Sequence, residues 1–372
     1  MVSILCGSCG TKTMLSGQNR SHGGVLLVNP IQVLHQIAPE IKAIIEQRYA
    51  VLRAIYYKGP IGRRALAQEL HSPERLIRNE LEFLSELGYV IKSSSGVTLS
   101  LGGERILPLL WEYIRQMRGL SDLEQELTCR LNLKAVIVVP GNSDQDPLVK
   151  QDLAKTAVRY LRNCLKDGDI LAVSGGTTLA EVAKSCGLDG HKRRVIVVPA
   201  RGGLGEDVEL QANTIAAKLA QGLGGSYRLL HAPDNVEPQL VDTILQEPSI
   251  REVVSLCRRA HVLLHGIGTA EEMAKRRGLH DEYVMQLIVR GAVGEAFGYY
   301  FNEQGEVVYS TASVGIRMED LAKIPLIIGV GGGKSKAWAL LSVIRLGYCD
   351  VCITDEGAAR KVIQILKSKE EM

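Results

Sequence analysis

The chain has 372 residues, 41 acidic and 44 basic side chains and a formal net charge of +3, so two or three domains are expected and any basic surface must be local. No apolar run approaches the roughly 20 residues that span a bilayer, and no basic segment followed by an unbroken apolar stretch opens the chain. This excludes an integral membrane protein or a secreted precursor and predicts a soluble, cytoplasmic protein, with eight cysteines too few for a disulfide framework at this length.

Residues 1–28 are glycine-rich and polar and have no sustained period, which predicts a disordered, dispensable extension and fits a translation start further along the chain. It holds the pair Cys6 and Cys9. A second pair, Cys349 and Cys352, runs into an apolar segment and reads as buried core thiols. Nothing in the sequence brings the two pairs together, so no metal site is expected.

Residues 29–118 form the first predicted domain. From Ile41 the apolar residues Ile44, Ile45, Tyr49, Leu52 and Ile55 recur at helical steps. Two short helices follow, one over Arg63 to Leu70 and one beginning at Ser72 with Pro73 as its first helical residue. Tyr89–Ile91 and Val97–Leu101 then flank the polar tip KSSSG as a hairpin. Helix, helix-turn-helix and hairpin is the winged-helix order. On a helical wheel the second helix groups Leu76, Ile77, Leu81, Phe83, Leu84 and Leu87 on one side and Arg75, Arg78, Asn79, Glu82, Ser85 and Glu86 on the other. Arg and Asn at its N-terminal end suit base edges in the major groove of double-stranded DNA. Arg63, Arg64 and Lys92 suit phosphates, and Ser72 stands with them at the helix start. A small packing or protein-docking module is the alternative for this domain.

Residues 119–134 predict a connector helix opened by a Ser121–Glu124 capping box. Its Leu120, Leu123 and Leu127 could pack on the next domain or on a partner subunit. Residues 135–372 alternate Val/Ile-rich runs with helical segments, predicting a Rossmann-like, largely parallel α/β domain. The runs are AVIVVP, DILAVSGG, RVIVVPA, YRLLHAP, HVLLHGIG, IPLIIGVGGG and DVCIT. Ligands of such sheets bind beyond the C-terminal ends of the strands.

Four loops at those ends suit an anionic sugar. SGGTT offers Gly175, Gly176, Thr177 and Thr178 at a helix start, where N–H groups point outward; a plain Thr178–Glu181 capping box is the alternative there. PARGG offers Arg201, with Gln211 ten residues on. GIGTAEEMAKRRG offers Arg276 and Arg277. GVGGGKSKAW offers Gly331–Gly333, Lys334, Ser335 and Lys336, one residue too short between its glycines for a nucleotide P-loop, and is read as a phosphate loop of another kind. No dinucleotide fingerprint occurs, so no cofactor is expected. An enzyme would need an acid and a base here, and Asp207, Glu295, His231 and His265 are the candidates for a sugar-phosphate isomerase or amino-sugar-phosphate deaminase.

PIGRRALA, SPERLIRNELEFL, AVSGGTTLAEVA, VVPARGGLGEDVELQANTIAAKLA, GAVGEAFGYYF and IIGVGGGKSKAWA together resemble the sorbitol-operon-regulator (SorC) family of sugar-binding transcriptional regulators, from about Gln32 to Lys367. The resemblance implies a non-enzymatic repressor of glycolytic genes that binds operator DNA, takes fructose 1,6-bisphosphate as inducer and acts as a dimeric or tetrameric homo-oligomer. It implies effector contacts at Gly175, Gly176, Thr177, Thr178, Arg201, Gln211, Arg276, Arg277, Glu295 and Lys336. One phosphate would sit at SGGTT, and a second would account for an excess of cations in the other loops.

Overall fold

The computed structural model describes residues 36–187, 193–203, 207–234 and 236–370. The predicted extension and the pair Cys6 and Cys9 lie outside them. The chain divides into the compact units 1–44 and 45–372. Of the first, residues 36–44 are described and carry the opening turns of the helix Pro39–Lys58. The core of the winged helix and the whole α/β part belong to the second.

The winged helix comprises the remainder of Pro39–Lys58, the helices Arg63–Glu69 and Glu74–Glu86, and the strands β1 (Val90–Ser93) and β2 (Gly96–Leu99), antiparallel with Val90 opposite Leu99. Leu52, Ile55, Leu66, Ile77, Leu81, Leu84, Val90 and Val97 share one core, and a bridge between Ile61 and Val97 ties the wing to the helices. The second helix of the pair starts two residues later than expected. Its cap position is Pro73, which has no capping side chain, because the Ser72 hydroxyl donates instead to the Leu70 carbonyl at 3.0 Å. Phe83 and Leu87 of its expected apolar side are exposed, and the Arg48 guanidinium lies 3.9 Å from the centre of the Phe83 ring.

Two helices, Leu101–Met117 and Leu120–Leu131, lead into the α/β part. The expected Ser121 cap does not form. Gly119 occupies the cap position at φ +65° with no capping side chain, and the Glu124 carboxylate is taken by Val138 N–H at 2.6 Å and Arg115 Nη2 at 2.9 Å. Leu120, Leu123 and Leu127 are buried in the core of the α/β sheet.

The main sheet contains β3 (Ala135–Val139), β4 (Ile170–Val173), β5 (Ile196–Pro199), β6 (Ser226–Tyr227), β7 (Val262–Gly266), β12 (Leu326–Val330) and β13 (Val351–Asp355), in the order β3-β13-β12-β7-β4-β5-β6. Every pairing is parallel. Alternate residues feed opposite faces. Leu171, Val173, Val262 and Leu264 pack with the helices Leu148–Cys164, Thr177–Ser185 and Ala212–Leu223, whereas Ala172, Val198 and Leu263 face the helices Ala337–Arg345 and Glu356–Glu370. Burial on both faces is why these strands read as continuous apolar runs.

The run YRLLHAP forms a strand only at Tyr227. Beyond it the Asn213 side chain bonds both backbone groups of Leu230, accepting at 2.9 Å and donating at 3.0 Å, in place of a neighbouring strand. An antiparallel sheet of β8 (Gly268–Thr269), β9 (Gly294–Ala296), β10 (Tyr299–Phe301) and β11 (Val307–Ser310) was not expected. Strands of two to four residues are too short to show a period.

Candidate functional site

At the C-terminal ends of β4, β5 and β7 the chain surrounds one cavity with about 850 Å³ of empty space, including its open mouth, and all ten expected effector positions line it. Gly175 and Gly176 make the turn after β4. A Cβ at Gly175 would stand 2.8 Å from the Leu210 carbonyl, and Gly176 adopts φ +118°, a region that side chains rarely enter. The helix Thr177–Ser185 therefore opens without a capping side chain, so the expected Thr178–Glu181 box is absent. Its first N–H groups have no acceptor within the helix and carry the positive end of its dipole. Thr177 and Thr178 add hydroxyls at that end. Lys336 and Arg276 line the same cavity from other segments, with Lys336 Nζ 3.4 Å from Glu272 Oε2.

The deeper wall is an ionic chain. Arg201, following β5, places Nε 2.8 Å from Asp234 Oδ1; the other Asp234 oxygen accepts from Arg277 Nη1; Arg277 Nη2 reaches Glu295 Oε1 at 2.8 Å. Glu295 arrives on β9 and also accepts from Gly298 N–H. Burial holds Arg201 below the usual arginine range. Burial pulls Arg277 the same way, but the Glu295 and Asp234 carboxylates more than offset it and its guanidinium lies above that range. The expected excess of cations is absent among the described lining residues. Arg201, Arg276, Arg277 and Lys336 are matched by Asp207, Asp234, Glu272 and Glu295. Sequence reasoning missed Asp234 and Glu272. Asp234 does directly follow the run YRLLHAP, so the rule that ligands lie beyond strand ends could have flagged it.

The turn after β12 differs from its expected role. Gly333 N–H donates to Asp355 at 2.6 Å, Lys334 N–H to Asn142 at 3.1 Å and Ser335 N–H to Asp144 at 2.8 Å. Its N–H groups are filled by the protein's own side chains, so it is no phosphate loop; only Lys336 of this segment lines the cavity.

Of the acid and base candidates, Asp207 and Glu295 line the cavity. Glu295 is committed to Arg277. His265 lies on β7, 1 % exposed, with its ring 4.6 Å from that of Phe297; burial pushes its pKa down to about 4, against a smaller upward effect of the Gly266 carbonyl, so it is a neutral core histidine. His231 is exposed and is not among the lining residues. Cys349 and Cys352 are buried. Among the described residues no His/Cys/Asp/Glu cluster is arranged to hold a metal ion, and no helix is long and apolar enough to cross a membrane.

On the helix-turn-helix, Arg63, Arg64, Arg75, Arg78, Asn79 and Lys92 are exposed and Ser72 is half-buried. Arg63 Nε lies 2.7 Å from one Glu74 oxygen and Arg64 Nε 3.6 Å from the other, so one carboxylate serves both expected phosphate contacts.

A winged helix joined to an α/β sheet whose strand ends enclose a cavity lined by four cations and four carboxylates defines a transcriptional regulator with a small-molecule domain. Residues 44–114 match the CggR N-terminal DNA binding domain and residues 115–364 the Sugar-bind family, a sugar-binding domain. The central glycolytic genes regulator of Bacillus subtilis is 41% identical over 334 residues, 90% of this chain and 98% of that protein. A crystal structure of a SorC family transcriptional regulator from Enterococcus faecalis superposes with a TM-score of 0.61 at 39% identity, over 65% of this chain and 99% of that one. The full-length sorbitol operon regulator of Klebsiella pneumoniae shares the fold, with a TM-score of 0.62 at 19% identity over 90% of this chain and 99% of that one. The chain belongs to the SorC family of sugar-binding transcriptional regulators. These relatives are regulators, not enzymes.

Proposed function

We propose that the protein is a repressor of central glycolytic genes that holds operator DNA through its winged helix and releases it when fructose 1,6-bisphosphate enters the cavity. The carrying observation is that ten positions from six separate stretches of the chain line one cavity, and that these are the positions the family resemblance selects. The name of the Bacillus subtilis relative supports the gene class. One phosphate would take the open N–H groups and hydroxyls at Thr177 and Thr178 together with Lys336. Sugar hydroxyls would meet Glu295 and the two arginines paired with Asp234, and the second phosphate would draw on Arg276. Residues 29–118 would act as the DNA-binding domain, 119–134 as the connector and 135–372 as the effector domain. The ligand works by differential affinity for two arrangements of subunits in a homo-oligomer, with no covalent step.

Titration of the operator-bound protein with fructose 1,6-bisphosphate, fructose 6-phosphate and inorganic phosphate tests this. Release by the bisphosphate at the lowest concentration is expected. No release by any of them, or steady turnover of a sugar phosphate, overturns it. On the DNA side, Arg75, Arg78 and Asn79 are assigned to base edges. Arg78→Ala is expected to cost about 1 to 3 kcal/mol on the operator and relax sequence preference, whereas Lys92→Ala weakens all DNA alike and reduces the salt slope by about one unit. Intact affinity and discrimination in Arg78→Ala would remove this helix as the recognition element.

A further inference from the structure

The deep wall of the cavity has one carboxylate that no sequence motif marks. Asp234 is 2% exposed and touches both buried arginines, through Oδ1 with Arg201 Nε at 2.8 Å and through Oδ2 with Arg277 Nη1. Its geometry is fixed from a third side by Ser313, whose hydroxyl donates to Oδ1 at 2.7 Å and accepts from Arg201 Nε at 3.1 Å. Arg201 Nη2 donates to Thr311 Oγ1 at 3.2 Å, and Gly298 leaves room for this guanidinium, since a Cβ there would overlap Arg201 Nη1. Both guanidiniums are therefore held in place before any ligand arrives. Both side chains line the cavity, so what their guanidiniums present to a ligand is set by the carboxylates and hydroxyls that hold them.

We infer that Asp234 is the positioning residue of the ligand site. It orients Arg201 and Arg277 together and cancels one of their two charges, with Glu295 cancelling the other. A wall of fixed donors with no net charge suits neutral hydroxyls and resists a bare dianion, because each phosphate brought against it also meets two carboxylates. The mouth is different. Lys336 there faces Glu272, whose side chain is 43% exposed and which can turn to solvent as a phosphate arrives. The site thus holds a phosphate more tightly as part of a sugar whose hydroxyls satisfy the deep wall than as the free ion, a selectivity that rests on the sugar-phosphate reading above.

The test uses the full chain, calorimetry, and two probes, fructose 1,6-bisphosphate and inorganic phosphate. Asp234→Asn is expected to weaken the bisphosphate at least tenfold while inorganic phosphate binds as tightly as before or tighter. Ser313→Ala keeps the charge and loosens the carboxylate; about threefold weaker bisphosphate binding and unchanged phosphate binding are expected. Equal weakening of both probes in Asp234→Asn, or unchanged affinities, overturns the role. Should Asp234→Asn fail to fold, Ser313→Ala decides, and unaltered bisphosphate affinity in that variant overturns it. If the unaltered chain binds neither probe, the functional reading itself falls, and the role of Asp234 with it.

Discussion

Two glycine-rich turns leave the same parallel sheet, one after β4 and one after β12, with β7 between them. Both present N–H groups, hydroxyls and glycines in forms that suit an anion. After β4 the turn stays open, with Gly176 at the cap position, no capping side chain and Thr177 and Thr178 on the cavity. After β12 the turn is closed, because Asp355, Asn142 and Asp144 accept from its successive N–H groups. Asp355 comes from the end of β13 and the other two from the segment after β3. A glycine turn thus presents the donors, and the chain segments brought beside it decide whether the anion is a ligand or a carboxylate of the protein.

The comparison breaks first at Asp355. This side chain is fully buried and accepts from Gly333, Ser143 and Ala358 N–H groups. Asp355→Ala is expected to cost about 3 to 5 kcal/mol in denaturant unfolding, since three donors, two of them buried, lose a charged partner; a cost below about 1 kcal/mol would mean that the turn does not depend on it.

Next comes His265, on the strand between the two turns. Its folded pKa near 4 lies below the ordinary value of about 6.5, so the unfolded chain binds the extra proton between these values. Its contribution is complete above pH 6.5 and is lost as pH falls toward 4, a loss of roughly 3 kcal/mol. His265→Phe should flatten the pH dependence of the unfolding midpoint in that window, and an unchanged slope would show that other groups set it.

Smaller effects separate the turns by function. Thr178→Ala and Lys336→Ala are each expected to weaken fructose 1,6-bisphosphate by about 1.5 to 3 kcal/mol in calorimetry, with little change in stability. Unchanged affinity in both would remove the open turn from the site. Asp144 is exposed and accepts from Ser335 N–H at 2.8 Å and from its hydroxyl at 2.9 Å. Asp144→Ala should cost about 0.5 to 1.5 kcal/mol of stability and leave ligand affinity alone; a parallel loss of ligand binding would mean the closed turn serves the cavity after all.

The fold was legible wherever a local period was long enough to show. Ile77, Leu81 and Leu84 share one face of their helix and are buried, and six of the seven apolar runs of the α/β part became strands of about the expected extent. Where two short-range rules competed, the sequence misled. Ser121 and Thr178 both match capping boxes, yet Gly119 and Gly176 hold those cap positions. The cavity loops were visible because glycines, hydroxyls and cations lie within a few residues of strand ends.

What the sequence alone determined is therefore the part governed by neighbours along the chain: helical and strand periods, glycine turns, and the donors those turns offer. Tertiary structure decided which donors stay free and how charge balances. Asp144 meets Ser335 across 191 residues and Asp234 meets Arg277 across 43, and no local pattern encodes such a meeting. Charges pair by distance in space, and that distance is fixed only when the sheet has brought its strand ends together.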